Sequence, residues 1–168
     1  KIGHFDEALA ELDAAVKLWP DVPRFYYTTG VVLKDTKKLR ESIAGFTKAI
    51  TLDPKYTKAY YGRGCAYYYN GEMDKACLDL EEVVKIDPGF RDALYNLGVI
   101  YIALGRLEDA RLIFEKHLNL KPNDPDVFYS MGLIHAASDD LDKAIENFQR
   151  TIGIDPRHLK ARFELSLL

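Results

Sequence analysis

A period of 34 residues constrains this chain more than any other feature. Pro20, Pro54, Pro88, Pro122 and Pro156 stand 34 residues apart, and Gly30, Gly64, Gly98 and Gly132 keep the same spacing. Leu18, Leu52, Ile86, Leu120 and Ile154 precede the prolines by two residues, and Asp53, Asp87 and Asp155 precede three of them directly. Ser42, Ala76, Ala110 and Ala144 follow the glycines by twelve residues, and Ala8 continues that series toward the start. A unit of this length is too small to bury its own apolar face, so neighbouring copies must stack.

Each marker has a physical consequence. Proline disfavours helix at the residue before it and cannot continue the hydrogen-bond ladder, so it marks where a helix ends. A glycine within a helix costs about 1 kcal/mol against alanine. Four in phase therefore imply close approach, read here as glycine on one helix facing Ala or Ser on the next. Turn signals fall midway, at Asn70-Gly71, Gly105 and Ser138-Asp139, and Asp124-Pro125 supplies an N-cap followed by proline at the first helical position. Apolar spacing between the marks is helical, and no stretch alternates like a strand. The reading is ten helices in one array over residues 1–168. Residues 1–20 hold a lone second helix, 23–56, 57–90, 91–124 and 125–158 are complete pairs, and 159–168 begin a further first helix. This arrangement is expected of a piece of a longer repeat protein.

The pattern resembles the tetratricopeptide repeat over essentially the whole chain. It is closest where Leu94, Leu97, Gly98, Tyr101, Leu107, Ala110, Phe114, Leu120 and Pro122 fall in phase. Two departures stand out. Lys37 occupies the place where the turn often has Gly, and Val83, His117 and Thr151 replace the small residue kept at Ala15 and Ala49. Altered helix spacing is expected at those three places. The resemblance implies an all-α, right-handed α-solenoid of antiparallel helix pairs, with a concave face lined by the first helix of each pair.

That face is readable residue by residue. Tyr27, Tyr61, Tyr95, Tyr129 and Phe163 form one stripe, and one helical turn on lie Val31, Cys65, Val99, Leu133 and Leu167. Tyr68 and Ile102 extend it, with Asn96 beside Tyr95, while Arg24, Lys58, Asp92, Asp126 and Lys160 precede the aromatics by three. The functional reading is a non-catalytic scaffold whose aromatic and aliphatic groove holds a peptide or an amphipathic helix. The competing reading is that these tyrosines pack against neighbouring helices. Arg24, Lys34 and Lys58 predict that acidic ligand residues lie toward the first repeats. Tyr27, Val31, Gly62, Asp92 and Asn96 do not supply the carboxylate clamp of chaperone-tail binders, nor do Thr28, Gly62, Asn96, Ser130 and Glu164 form an asparagine ladder.

Other chemistry finds little support. His4, His117, His135 and His158 lack a third ligand at metal spacing, although His117 and His135 fall on successive apolar faces where they could approach each other. Cys65 has no histidine near it in the repeat frame and reads as a small buried hydrophobe. No catalytic residue, metal or cofactor is assigned. The net charge of −3 argues against nucleic acid. A nucleic-acid-binding helical repeat is thus the least favoured alternative, and the targeting or regulatory arm of a larger enzyme is the other. No apolar run approaches the ~20 residues of a membrane span. Two cysteines are too few for a disulfide framework, which makes a reducing, cytoplasmic location the default expectation. Phe5, Leu9 and Leu12 lie on an end helix whose uncovered apolar face predicts self-association.

Overall fold

The computed structural model describes residues 2–168, with side chains from His4 onward. Lys1, which opens the predicted 1–20 segment, lies outside the described residues. Among them are ten helices and no strand: α1 (Ile2–Leu18), α2 (Pro23–Asp35), α3 (Leu39–Leu52), α4 (Thr57–Tyr69), α5 (Met73–Ile86), α6 (Arg91–Ala103), α7 (Leu107–Leu120), α8 (Pro125–Ala137), α9 (Leu141–Ile154) and α10 (Leu159–Leu167). They gather into two compact units that meet in sequence at Phe90 and Arg91.

The repeat markers act through backbone geometry. α3, α5, α7 and α9 each stop two residues before a proline. The residue between is extended: Asp53 (φ −134°, ψ 95°), Asp87 (φ −132°, ψ 90°), Lys121 (φ −137°, ψ 85°) and Asp155 (φ −119°, ψ 95°). This is the conformation that the ring of a following proline imposes. Inside each pair the chain reverses at a left-handed residue, namely Lys37 (φ 62°), Gly71 (φ 81°), Gly105 (φ 72°) and Asp139 (φ 60°). The amide one residue further on donates five residues back: Lys38 to Leu33 O, Glu72 to Tyr67 O, Arg106 to Tyr101 O and Asp140 to His135 O, all at 2.8–2.9 Å. The first helices of the four complete pairs, α2, α4, α6 and α8, therefore end in the same left-handed cap, whether or not glycine is there.

In the unit ending at Phe90, the fully buried ring of Phe46 is wedged between two glycines. A methyl on Gly30 would lie 2.8 Å from Phe46 Cδ1, and one on Gly62 would lie 2.6 Å from its Cζ. Gly45 brings α3 against the backbone of α2, its would-be methyl 3.1 Å from Gly30 N. In the unit beginning at Arg91, Gly98 abuts Phe114 and Gly132 abuts Phe148, each with a would-be methyl 2.5 Å from the ring. In the Cβ direction Gly30, Gly64, Gly98 and Gly132 meet the large side chain sixteen residues on, a partner the sequence reading did not name. Of the small residues at twelve, Ser42 is fully buried and its hydroxyl donates to Gly30 O at 2.7 Å. The glycine makes room for a ring, because a helical Cβ would project into the space that the ring fills.

Val83, His117 and Thr151 are all buried at the place where Ala49 sits. The two polar ones reach across their own pair to the first residue of its first helix. His117 Nδ1 lies 3.1 Å from Arg91 O, and Thr151 Oγ1 donates to Pro125 O at 3.3 Å. At Thr151 the buried hydroxyl is admitted because a carbonyl satisfies it.

Candidate functional site

Each ladder tyrosine is first a packing residue. Tyr27, Tyr95 and Tyr129 lie with ring centroids 5.8, 6.1 and 5.9 Å from Phe46, Phe114 and Phe148. A second neighbour comes from the turn after the proline. Tyr27 meets Tyr56 at 5.2 Å, Tyr61 meets Phe90 at 4.9 Å and Tyr129 meets His158 at 4.9 Å. The matching residue for Tyr95 is Asp124, and His117 supplies the ring there instead, at 6.3 Å. The positions of Tyr56, Phe90, Asp124 and His158 are again 34 apart. The packing reading of the tyrosines therefore holds at Tyr27, Tyr61, Tyr95 and Tyr129.

His117 and Asp124 belong together. His117 Nε2 donates to Asp124 Oδ2 at 2.9 Å, Lys121 Nζ reaches the same oxygen at 2.9 Å, and Asp124 Oδ1 accepts from Asp126 N at 3.2 Å as the cap of α8. Burial alone would push the Asp124 carboxyl up. The hydrogen bonds and charges of Lys121 and His117 outweigh it and hold the group below the usual carboxylate range. His135 does not join His117, contrary to the expectation from the apolar faces; its Nδ1 lies 3.6 Å from Asp140 Oδ2. No cluster of three metal-ligating side chains occurs among the described residues.

Tyr95 and Tyr129 also line a cleft in the unit beginning at Arg91. It encloses about 520 Å³ and is lined by Tyr95, Val99 and Ile102 of α6, Asp126, Tyr129, Ser130 and Leu133 of α8, and Arg157, His158, Leu159 and Lys160 where α10 begins. Six of the predicted groove residues, Tyr95, Val99, Ile102, Asp126, Tyr129 and Leu133, line this space together. Asp92 and Asn96 lie on α6 outside its lining. Burial raises the Tyr95 hydroxyl, with nearby Asp126 adding to the effect and a hydrogen bond with Ser130 opposing it. Burial likewise raises that of Tyr129, with Glu164 adding. His158 caps α10: Ala161 N donates to its Nδ1 at 3.1 Å, which leaves Nε2 facing Asp126 Oδ1 at 3.6 Å. Among the lining residues, Ser130, Arg157, His158, Leu159 and Lys160 were outside the predicted groove set, Lys160 having been noted only as the charge three residues before Phe163. Arg157 and His158 sit in the inter-repeat turn, where helix periodicity carries no signal; the 34-residue register of Tyr56 and Phe90 could have found His158.

The predicted residues of the other unit are Arg24, Tyr27, Val31 and Lys34 on α2 and Lys58, Tyr61, Cys65 and Tyr68 on α4. Tyr27, Val31, Tyr61 and Cys65 are half-buried, and Tyr68 is exposed with its ring edge-on to Tyr69 at 5.6 Å. Cys65 is thus more open than expected, whereas Cys77 is buried. Lys34 Nζ is bound to Asp35 at 2.9 Å, which with the adjacent charge raises it against the opposing effect of burial. Arg24 and Lys58 are exposed.

Tetratricopeptide repeat models match residues 1–57, 70–134 and 125–158. The chain belongs to the tetratricopeptide repeat family. Comparison with curated proteins gives no match. Among solved structures, it is similar to YrrB, described as a tetratricopeptide protein with an unusual peptide-binding site, at 24% identity over 97% of this chain and 84% of that one, with a TM-score of 0.88. MamA is 25% identical over 94% of this chain and 92% of its own, with a TM-score of 0.87. A tetratricopeptide repeat protein from Parabacteroides merdae ATCC 43184 is 23% identical over 98% of this chain and 67% of its own, with a TM-score of 0.89. The fold is an all-α tetratricopeptide solenoid, a class that serves as a protein-interaction scaffold and is generally non-catalytic. Among the described residues, no helix is long and apolar enough to cross a membrane.

Proposed function

We propose that this tetratricopeptide protein binds a peptide segment of a partner in the groove face of its first helices, with the α6–α8–α10 cleft as the principal seat. One observation carries the reading: Tyr95, Tyr129, Val99, Ile102 and Leu133 converge on one open space of about 520 Å³, whose lining also includes the polar Ser130, Asp126, Arg157, His158 and Lys160. An apolar floor with a few placed polar groups suits a side chain anchored from an extended or helical peptide. Tyrosine contributes large contact area with a hydrogen-bonding tip at low entropic cost. Tyr27, Tyr61, Cys65 and Tyr68 offer further contact surface in the other unit.

The test is capture of partners from the native source by wild type and by the double variant Tyr95→Ala/Tyr129→Ala. Both rings touch core phenylalanines, so circular dichroism must first show retained helix. Specific bands should disappear with the variant. Their persistence in a folded variant would move the binding surface elsewhere.

A further inference from the structure

The lining charges of the cleft are not balanced in place. Asp126 faces His158 Nε2 at 3.6 Å. Arg157 and Lys160, both exposed, line the same cleft from the start of α10 and form no ion pair among the described residues. The neighbouring cation, Arg162, is committed: its Nε donates to Pro156 O at 2.9 Å. Glu164 lies outside the lining but close enough to the Tyr129 hydroxyl to raise it. The cleft therefore has two uncommitted cations on the side where α10 begins, and acidic groups near its tyrosine hydroxyls.

We infer that the cleft selects an acidic peptide from a partner protein, seating a bulky apolar side chain between Tyr95, Tyr129 and Leu133 and an adjacent Asp or Glu carboxylate against Arg157 and Lys160. This rests on the peptide-binding reading above and adds the chemistry of the ligand. Asp126 and Glu164 repel an anion from the tyrosine side, so the carboxylate has one favourable place. The apolar floor supplies most of the affinity, and the charge pair supplies register and discrimination against basic sequences. A side-chain carboxylate fits better than a chain terminus, because both cations are long, flexible and solvent-exposed.

The probe is a display library of linear 12-residue peptides fused through their C-termini, so that no free terminal carboxylate is offered. Selection is done on the full chain, and recovered peptides are then titrated against three folded proteins: wild type, Arg157→Glu/Lys160→Glu and Tyr95→Ala/Tyr129→Ala. The expected consensus places Asp or Glu within two residues of Leu, Ile, Phe or Trp. Charge reversal should weaken binding about tenfold, with wild-type affinity falling between low and high salt. Peptides that depend on Tyr95 and Tyr129 but ignore or prefer the reversed charges would overturn the acidic inference and leave the groove reading standing. Peptides indifferent to both variants would overturn both, and absence of enrichment would overturn the acidic inference.

Discussion

A methyl group on Gly98 would lie 2.5 Å from Phe114 Cε1, inside any normal carbon–carbon contact, whereas on Gly64 it would meet Leu80 Cγ at 3.2 Å. Both glycines hold the same register in the repeat, yet the alanine variants should differ. Alanine gains about 1 kcal/mol of helix propensity at either place. At Gly98 the overpacked ring costs more than that, for a net loss of about 2 kcal/mol. At Gly64 the two effects should nearly cancel. Urea unfolding followed by circular dichroism should show a lower midpoint for Gly98→Ala and little change for Gly64→Ala; equal midpoints would refute the ring-clash account. The left-handed turn residues give the converse case. Lys37 and Asp139 hold φ near 60°, where a side chain costs about 1 kcal/mol, so Lys37→Gly and Asp139→Gly should each raise the midpoint by a comparable amount.

The join between α7 and α8 is the element with the most electrostatic content. Asp124 caps α8 and accepts from His117 and Lys121 while 7% exposed. Its carboxyl is held below the usual range. A group with a depressed folded pKa stabilises fully above its unfolded value of about 4, and that contribution is lost as pH falls through the folded value. Asp124→Asn keeps an N-cap but removes the charge. It should therefore cost about 1–2 kcal/mol at pH 7, and the gap to wild type should close as pH is lowered from about 5 toward 3. Unfolding midpoints at the two ends of that range check it, and a gap independent of pH would refute the ionic role. The same join explains why His117 is tolerated where a small residue is usual: its ring replaces, beside Tyr95, the aromatic that Asp124 displaces.

At the scale of the whole molecule, stability in stacked repeats is a sum of local terms, so damage should stay local. Phe114 is fully buried against Gly98 and Tyr95, and Phe114→Ala should cost about 3–5 kcal/mol. Hydrogen exchange should then show faster amide exchange in α6 to α8 than in α2 to α4. Uniform acceleration over all ten helices would argue for a single cooperative structure. Function belongs to this scale too, because the cleft is assembled from α6, α8 and the start of α10, which no single repeat contains.

Much of this was legible in residue order. The prolines set every second-helix end, since their ring restricts the preceding residue whatever surrounds it, and Gly71 and Gly105 announced the turns. The stripe of Tyr95, Val99, Tyr129 and Leu133 followed from helical periodicity. What periodicity could not supply was which large side chain each glycine admits, and that Lys37 and Asp139 adopt the left-handed conformation without glycine. Nor could it give the placement of Arg157 and His158 on the cleft, because turn residues have no face until the helices flanking them are packed. The repeat alone determined the helices and their ends, which are local matters of backbone sterics. The tertiary structure decided the partners of each ring and the charges around the cleft, since those depend on residues brought together from separate helices.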